Sequence, residues 1–100
     1  MTDKNKVEKN VYANGAVTYC LNGKFHRTDG PAVEYLDGTK HWYLYGKRHR
    51  TDGPTIEHPD GTKFWFISGR LHRTDGPAVE WPNGTRKWYI QTKLFEGPKK

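Results

Sequence analysis

One hundred residues make a single small domain, and a hydrophobic fraction of 33% with a mean hydropathy of −1.02 leaves material for only a thin core. Aromatic residues make up 14% of the chain, which separates it from ring-poor disordered sequences, while its size excludes a deep enclosed active site. Seventeen Lys and Arg against eleven Asp and Glu give a net charge of +6, which favours acidic partners without choosing among nucleic acid, phospholipid and protein.

In chain order, residues 1–10 are mostly polar and read as a flexible arm with no apolar segment of the kind a secretory signal carries. A worn copy of a repeat occupies residues 11–23, with Asn14-Gly15, Thr18-Tyr19 and Asn22-Gly23. Three full copies follow at 24–46, 47–69 and 70–92. The hexapeptide His26-Arg27-Thr28-Asp29-Gly30-Pro31 recurs unchanged at His49–Pro54 and His72–Pro77, a step of 23 residues. The same step links Trp42, Trp65 and Trp88, and Glu34, Glu57 and Glu80. A degenerate cap, 93–98, and a two-residue tail close the chain. Worn terminal copies are what a stacked array needs at its ends.

Each period carries two turn signals. One is X-Gly before a basic residue, as in Tyr45-Gly46 and Ser68-Gly69. The other is Asp-Gly or Asn-Gly before threonine, as in Asp37-Gly38-Thr39. Both suit two-residue hairpins, and the β-branched and aromatic residues between them suit strands. The predicted fold is all-β: an antiparallel meander of tandem β-hairpin repeats forming an elongated, single-layer twisted sheet. With Asp37-Gly38 as a two-residue turn, Leu36 pairs with Thr39, Tyr35 with Lys40 and Val33 with Trp42. One face then carries Val33, Tyr35, Trp42 and Leu44 with Ile56, Trp65, Val79 and Trp88, and is the expected core. The other carries Ala32, Glu34, His41 and Tyr43 with Phe66 and Tyr89, half exposed. Asp-Gly-Pro interrupts the longer strand, where proline cannot donate to a ladder and a bulge or small loop is expected.

The run Trp42-Tyr43-Leu44-Tyr45-Gly46-Lys47-Arg48-His49, followed by Gly53, an apolar strand and Asp60-Gly61, resembles the MORN repeat family. The likeness spans about residues 11–98. Arg-Thr-Asp follows each histidine where the family usually has glycine, so the chain is similar to a divergent branch seen in bacteriophages and giant viruses. The resemblance implies stacked hairpins and a non-catalytic role in protein contact or dimerisation, with acidic phospholipid binding proposed for some members. A phage-type protein that binds and inhibits a host factor is one form of that role.

No catalytic constellation is expected. Equivalent residues of neighbouring repeats lie two strands apart, roughly 9–10 Å, so His26, His49 and His72 cannot share a metal ion, and Asp29, Asp52 and Asp75 cannot work as paired carboxylates. No metal, cofactor or enzyme activity is therefore expected. The one cysteine, Cys20, excludes an internal disulfide and a cysteine zinc site, and a cytoplasmic location (the host's, if viral) is the simplest reading. The His-Arg-Thr-Asp-Gly-Pro loops have two readings. They are structural, with Asp bonded to backbone or to Arg, or Arg27, Arg50 and Arg73 form a cationic edge for nucleic acid, nucleotide or acidic lipid headgroups. The candidate contact residues are those arginines, the three histidines, and Tyr43, Phe66 and Tyr89. A protein partner leads, an anionic ligand is the alternative, and self-assembly is a further one. Glu34, Glu57 and Glu80, expected beside the rings, count against nucleic acid.

Overall fold

The computed structural model describes residues 6–95 and contains strands and turns only among them. In chain order the strands are β1 (Glu8–Val11), β2 (Val17–Leu21), β3 (Lys24–Phe25), β4 (Val33–Glu34), β5 (Lys40–His41), β6 (Tyr43–Leu44) and β7 (Lys47–Arg48). They continue as β8 (Ile56–Glu57), β9 (Lys63–Phe64), β10 (Phe66–Ile67), β11 (Arg70–Leu71), β12 (Val79–Glu80), β13 (Arg86–Ile90) and β14 (Lys93–Phe95). The main sheet is antiparallel in the order β1-β2-β4-β5-β8-β9-β12-β13-β14, with β3 added to β2. β6-β7 and β10-β11 are hairpin arms of their own. The array measures 58 × 26 × 17 Å, an elongated plate one sheet thick, as expected from tandem hairpins.

The arms turn at Tyr45-Gly46 and Ser68-Gly69. Leu44 faces Lys47 and Ile67 faces Arg70 across two-residue loops. Tyr45 and Gly46 have φ of 51° and 82°, the left-handed pair of a type I′ turn, whose twist matches the strands it joins.

The Asp-Gly hairpin differs from the expectation. Glu34 pairs with Lys40 and Val33 with His41, not Tyr35 with Lys40 and Val33 with Trp42. The loop holds three residues, Leu36-Asp37-Gly38. The Gly38 N–H donates to Tyr35 O at 3.0 Å, and Tyr35 N–H donates to Thr39 O at 2.9 Å. The Asp37 carboxylate accepts from Thr39 N–H at 2.8 Å, and Gly38 takes φ of 97°. This is a type I turn closed by a glycine bulge. The same bonds recur around Asp60, Asn83 and Asn14.

A one-residue slip sends every side chain of the following strand to the other face. Trp42, Trp65 and Trp88 therefore leave the face of Val33, Ile56 and Val79 and join that of Glu34, Glu57 and Glu80. His41, Phe64 and Lys87 take the places opposite the valines and isoleucine. The buried core is narrow: Val33, Ile56 and Val79, flanked by Ala32, Thr55 and Ala78 under the Gly-Pro segments. Each buried valine or isoleucine contributes about 1.5–3 kcal/mol. Thr55 is buried without an orphaned hydroxyl, because its Oγ1 donates to Phe66 O and accepts from Phe66 N–H.

Two further differences concern the ends. Glu8–Asn10, assigned to the flexible arm, instead form most of β1, paired with β2. In the expected cap, Lys93–Phe95 pair with β13, while Glu96–Pro98 lie outside the described residues.

Candidate functional site

The slip sorts the candidate residues onto two faces. Arg27, Arg50 and Arg73 lie on the same face as the glutamates and tryptophans. Tyr43, Phe66 and Tyr89 lie on the opposite one, because they follow His41, Phe64 and Lys87 at the two-residue alternation of a strand.

On the arginine face, each loop guanidinium is bonded through its Nε and Nη1 and stacked on a ring. The Arg50 Nε donates to Asp52 at 2.8 Å, and its Nη1 donates to Pro54 O at 2.9 Å and to Glu57 at 2.8 Å. Its Cζ lies 3.8 Å from the Trp42 ring centroid. Arg27 repeats the set with Asp29, Pro31, Glu34 and Tyr19, and Arg73 with Asp75, Pro77, Glu80 and Trp65. Two carboxylates per arginine leave no net positive charge in any of these loops. Of the two readings of these loops, these bonds follow the structural one, with Asp bonded to Arg, and not the cationic edge. The arginines are fasteners, and the exposed groups are Asp29, Asp52 and Asp75. The bond donated by its arginine, followed by that arginine's charge, lowers the pKa of Asp52 and of Asp75. Between successive loops lie open grooves of about 550 and 470 Å³, one floored by Trp42 and Leu44, the next by Trp65 and Ile67.

The histidines have a shared structural task. His26 Nδ1 accepts from Tyr45 N–H at 3.0 Å, His49 Nδ1 from Ser68 N–H at 3.0 Å and His72 Nδ1 from Gln91 N–H at 3.1 Å. Each acceptor meets the first residue of the next arm's turn, where φ is near +50° in a non-glycine residue. The imidazoles therefore lock one arm to the next, in the tautomer protonated at Nε2. Among the described residues no three His, Cys, Asp or Glu side chains converge as a metal site would require.

The ring face carries a connected aromatic cluster. Phe25 packs on Tyr43 with centroids 5.1 Å apart, Tyr43 stacks on His41 at 6.3 Å, and His41 meets Tyr35 and His58 edge-on. His58 in turn meets Phe64 at 6.2 Å. Arg48 sits between Tyr43 and Phe66, its Cζ 5.6 and 5.5 Å from the two centroids. Phe25 is 38% exposed and Tyr35 47%, so the cluster opens to solvent. Partial burial, then the charges of Arg48 and His58, lower the pKa of His41. Among the described residues three buried side-chain polar atoms have no protein partner, Thr18 Oγ1, His41 Nδ1 and Arg48 Nε, and all three belong to this face.

Glu34, Glu57 and Glu80, expected beside the rings, are absent from this face. Its one strand carboxylate among the described residues is Glu8, on the outermost strand β1, opposite Cys20. Asp37 and Asp60 lie at one border, in the turns, where the threonine N–H each accepts is the main cause of its lowered pKa. Arg48, Phe25 and Tyr35 were not singled out from the sequence. The signal for Arg48 was its break with the repeat, since Phe25 and Leu71 occupy the same place one step to either side.

No protein-family model, curated protein or solved structure matches the chain.

Proposed function

We propose that this chain is a non-catalytic repeat module that binds a macromolecular partner through its ring face. The observation that carries the reading is the connected cluster of half-buried His41, Tyr43 and Phe66 with exposed Phe25 and Tyr35 around a partly desolvated arginine. Aromatic residues and arginine are the side chains enriched where macromolecules meet, and unpaired buried polar atoms call for an explanation such as a site. On the opposite face the hexapeptide loops and the strand glutamates are tied to one another. Its arginines and glutamates bond to one another, and its histidines bond to backbone. Equivalent groups of successive repeats stand roughly 9–10 Å apart, which suits gripping a long surface rather than joint chemistry. The 23-residue pattern and the hairpin array support reading the chain as a divergent MORN-like repeat protein, and non-catalytic binding agrees with that kinship.

The test is retention of cellular protein and nucleic acid by the immobilised chain. Three forms are compared: unaltered, Phe25→Glu with Tyr35→Glu, and Asp29→Ala with Asp75→Ala. Retention lost with the ring-face pair and kept with the loop pair supports the reading. Retention unchanged by the ring-face pair refutes it.

A further inference from the structure

We infer that the face opposite the rings carries a second binding site, a file of grooves that holds a proline-rich segment of a partner protein in the polyproline II conformation. The inference goes beyond the ring-face reading and does not depend on it.

The first argument is spacing. The groove floored by Trp42 and Leu44 lies between the first and second hexapeptide loops, and the groove floored by Trp65 and Ile67 between the second and third. Equivalent residues of the two recur two strands apart, roughly 9–10 Å. A polyproline II helix turns once in three residues with a rise of about 9.3 Å, so residues i and i+3 face the same way at the step of the grooves. A β-strand presents a side chain to one side about every 6.6 Å, and an α-helix about every 5.4 Å. Either would set side chains on the loop crest between the grooves, where the Asp52 side chain is 84% exposed.

The second argument is the chemistry of the lining. A polyproline II segment has no internal hydrogen bonds, so its carbonyls need outside donors, and such segments dock in aromatic-lined grooves. His49 lines the first groove and His72 the second. Each spends its Nδ1 on the turn of the next arm, which leaves the N–H at Nε2 to donate. Trp42 and Trp65 are half-buried and contribute the indole, an apolar body with an N–H at its edge. The grooves are open and sit on a plate 17 Å thick, so they bury little surface. A segment already ordered before binding loses the least entropy in such a place.

The third argument is charge. The lining of each groove is neutral, with Arg27 and Arg50 against Asp29 and Asp52 in the first, and Arg50 and Arg73 against Asp52 and Asp75 in the second. The remaining exposed cations of this face lie outside the lining. Lys40, Lys63 and Arg86 alternate with Glu34, Glu57 and Glu80 across the strands. Lys24, Lys47 and Arg70 stand at the arm tips. A polyanion drawn to them meets the exposed carboxylates of Asp29, Asp52 and Asp75 on the same face. An uncharged proline segment meets no such opposition and complements the neutral lining.

The experiment is fluorescence anisotropy with two labelled proline–alanine peptides of about twelve residues, about four turns of polyproline II. One carries proline at every third position, and the other has the same composition in shuffled order. The regular peptide is expected to bind about fivefold tighter or more, because it alone fills both grooves in step. Its affinity should change less than about twofold between roughly 50 and 200 mM salt, since no charge is engaged. Thr51 is exposed and lines both grooves, so Thr51→Tyr should obstruct them and weaken binding about fivefold or more. Trp42→Phe with Trp65→Phe keeps a ring under each guanidinium, removes the indole N–H, and should weaken binding about threefold or more. Unchanged circular dichroism and melting temperature establish that each variant is folded. In nitrogen-15 NMR spectra the regular peptide should shift the indole signals of Trp42 and Trp65. Equal binding of the two peptides, a steep salt dependence, indifference to Thr51→Tyr, or shifts confined to Phe25, Tyr35 and Tyr43 overturns the inference. If neither peptide binds while Phe25→Glu with Tyr35→Glu still abolishes cellular retention, the groove inference is wrong and the ring face stands.

Discussion

Gly53 and Arg50 form a coupled pair whose energetics can be worked from geometry. Gly53 does not have positive φ, so alanine carries no backbone strain there. A Cβ at Gly53 would, however, lie 2.8 Å from Arg50 Cζ and 3.0 Å from its Nη2. The guanidinium must then move off Trp42 and away from Pro54 O and Glu57. The stack is worth about 0.5–1 kcal/mol and a charged hydrogen bond about 1.5–3 kcal/mol, so Gly53→Ala should cost about 2 kcal/mol. With Arg50→Ala already in place the obstruction is gone. The same Gly53→Ala should then be neutral or stabilise by about 0.4–1 kcal/mol, through the lower entropy of the unfolded chain. The coupling of about 2 kcal/mol or more is read from a double-mutant cycle of urea melts. Additive effects within about 0.5 kcal/mol would refute the fastener assignment, as would a stabilising Arg50→Ala, the outcome for a guanidinium held ready for a ligand.

His26 is 5% exposed and supplies the acceptor for Tyr45 N–H, so His26→Ala should cost about 2–3 kcal/mol, whereas His26→Asn, whose Oδ1 can replace Nδ1, should cost less. Equal losses in thermal melts would contradict the arm-locking role. Ser68 has φ of 49° at the first turn position, where asparagine is favoured, so Ser68→Asn should stabilise by about 0.5 kcal/mol in the same assay. The lowered His41 pKa means that the unfolded chain binds the proton more readily. Stability should therefore fall as pH drops below the ordinary value of 6.5, and His41→Phe, the residue at the equivalent Phe64, should remove that slope. Asp37, Asp52, Asp60 and Asp75 act together at lower pH, because their depressed pKa values contribute stability that is present above 3.8 and lost as pH falls below it. Urea melts at pH 7, 5.5 and 3 separate the two contributions.

The 23-residue step, the two turns per period and the all-β character were legible in the residues, because each is local. Gly46 after an X residue, Asp37 and Gly38 before threonine, and β-branched and aromatic runs between them define strands and turns without reference to anything distant. The facing of those strands was not legible in the same way. Asp-Gly serves both a two-residue turn and a three-residue turn with a bulge. The pattern around it cannot discriminate, since Trp42 and His41, Trp65 and Phe64 all offer large rings to whichever side they face. What decides is contact between segments. The Asp37 carboxylate caps Thr39, Arg50 reaches across to Trp42 and Glu57, and Val33 and Ile56 close on His41.

The same contacts determine which charges are spent. In the sequence Arg27, Arg48, Arg50 and Lys47 are alike in charge. Folding places a carboxylate on either flank of Arg27 and Arg50, one two residues along and one seven, and none against Arg48 and Lys47. Sequence alone established the array, its period and its net charge, since these depend on order and composition. The register, the neutralisation of the loop arginines and the gathering of the rings on one face arose from folding. They depend on which side chains, separated along the chain, come within bonding distance.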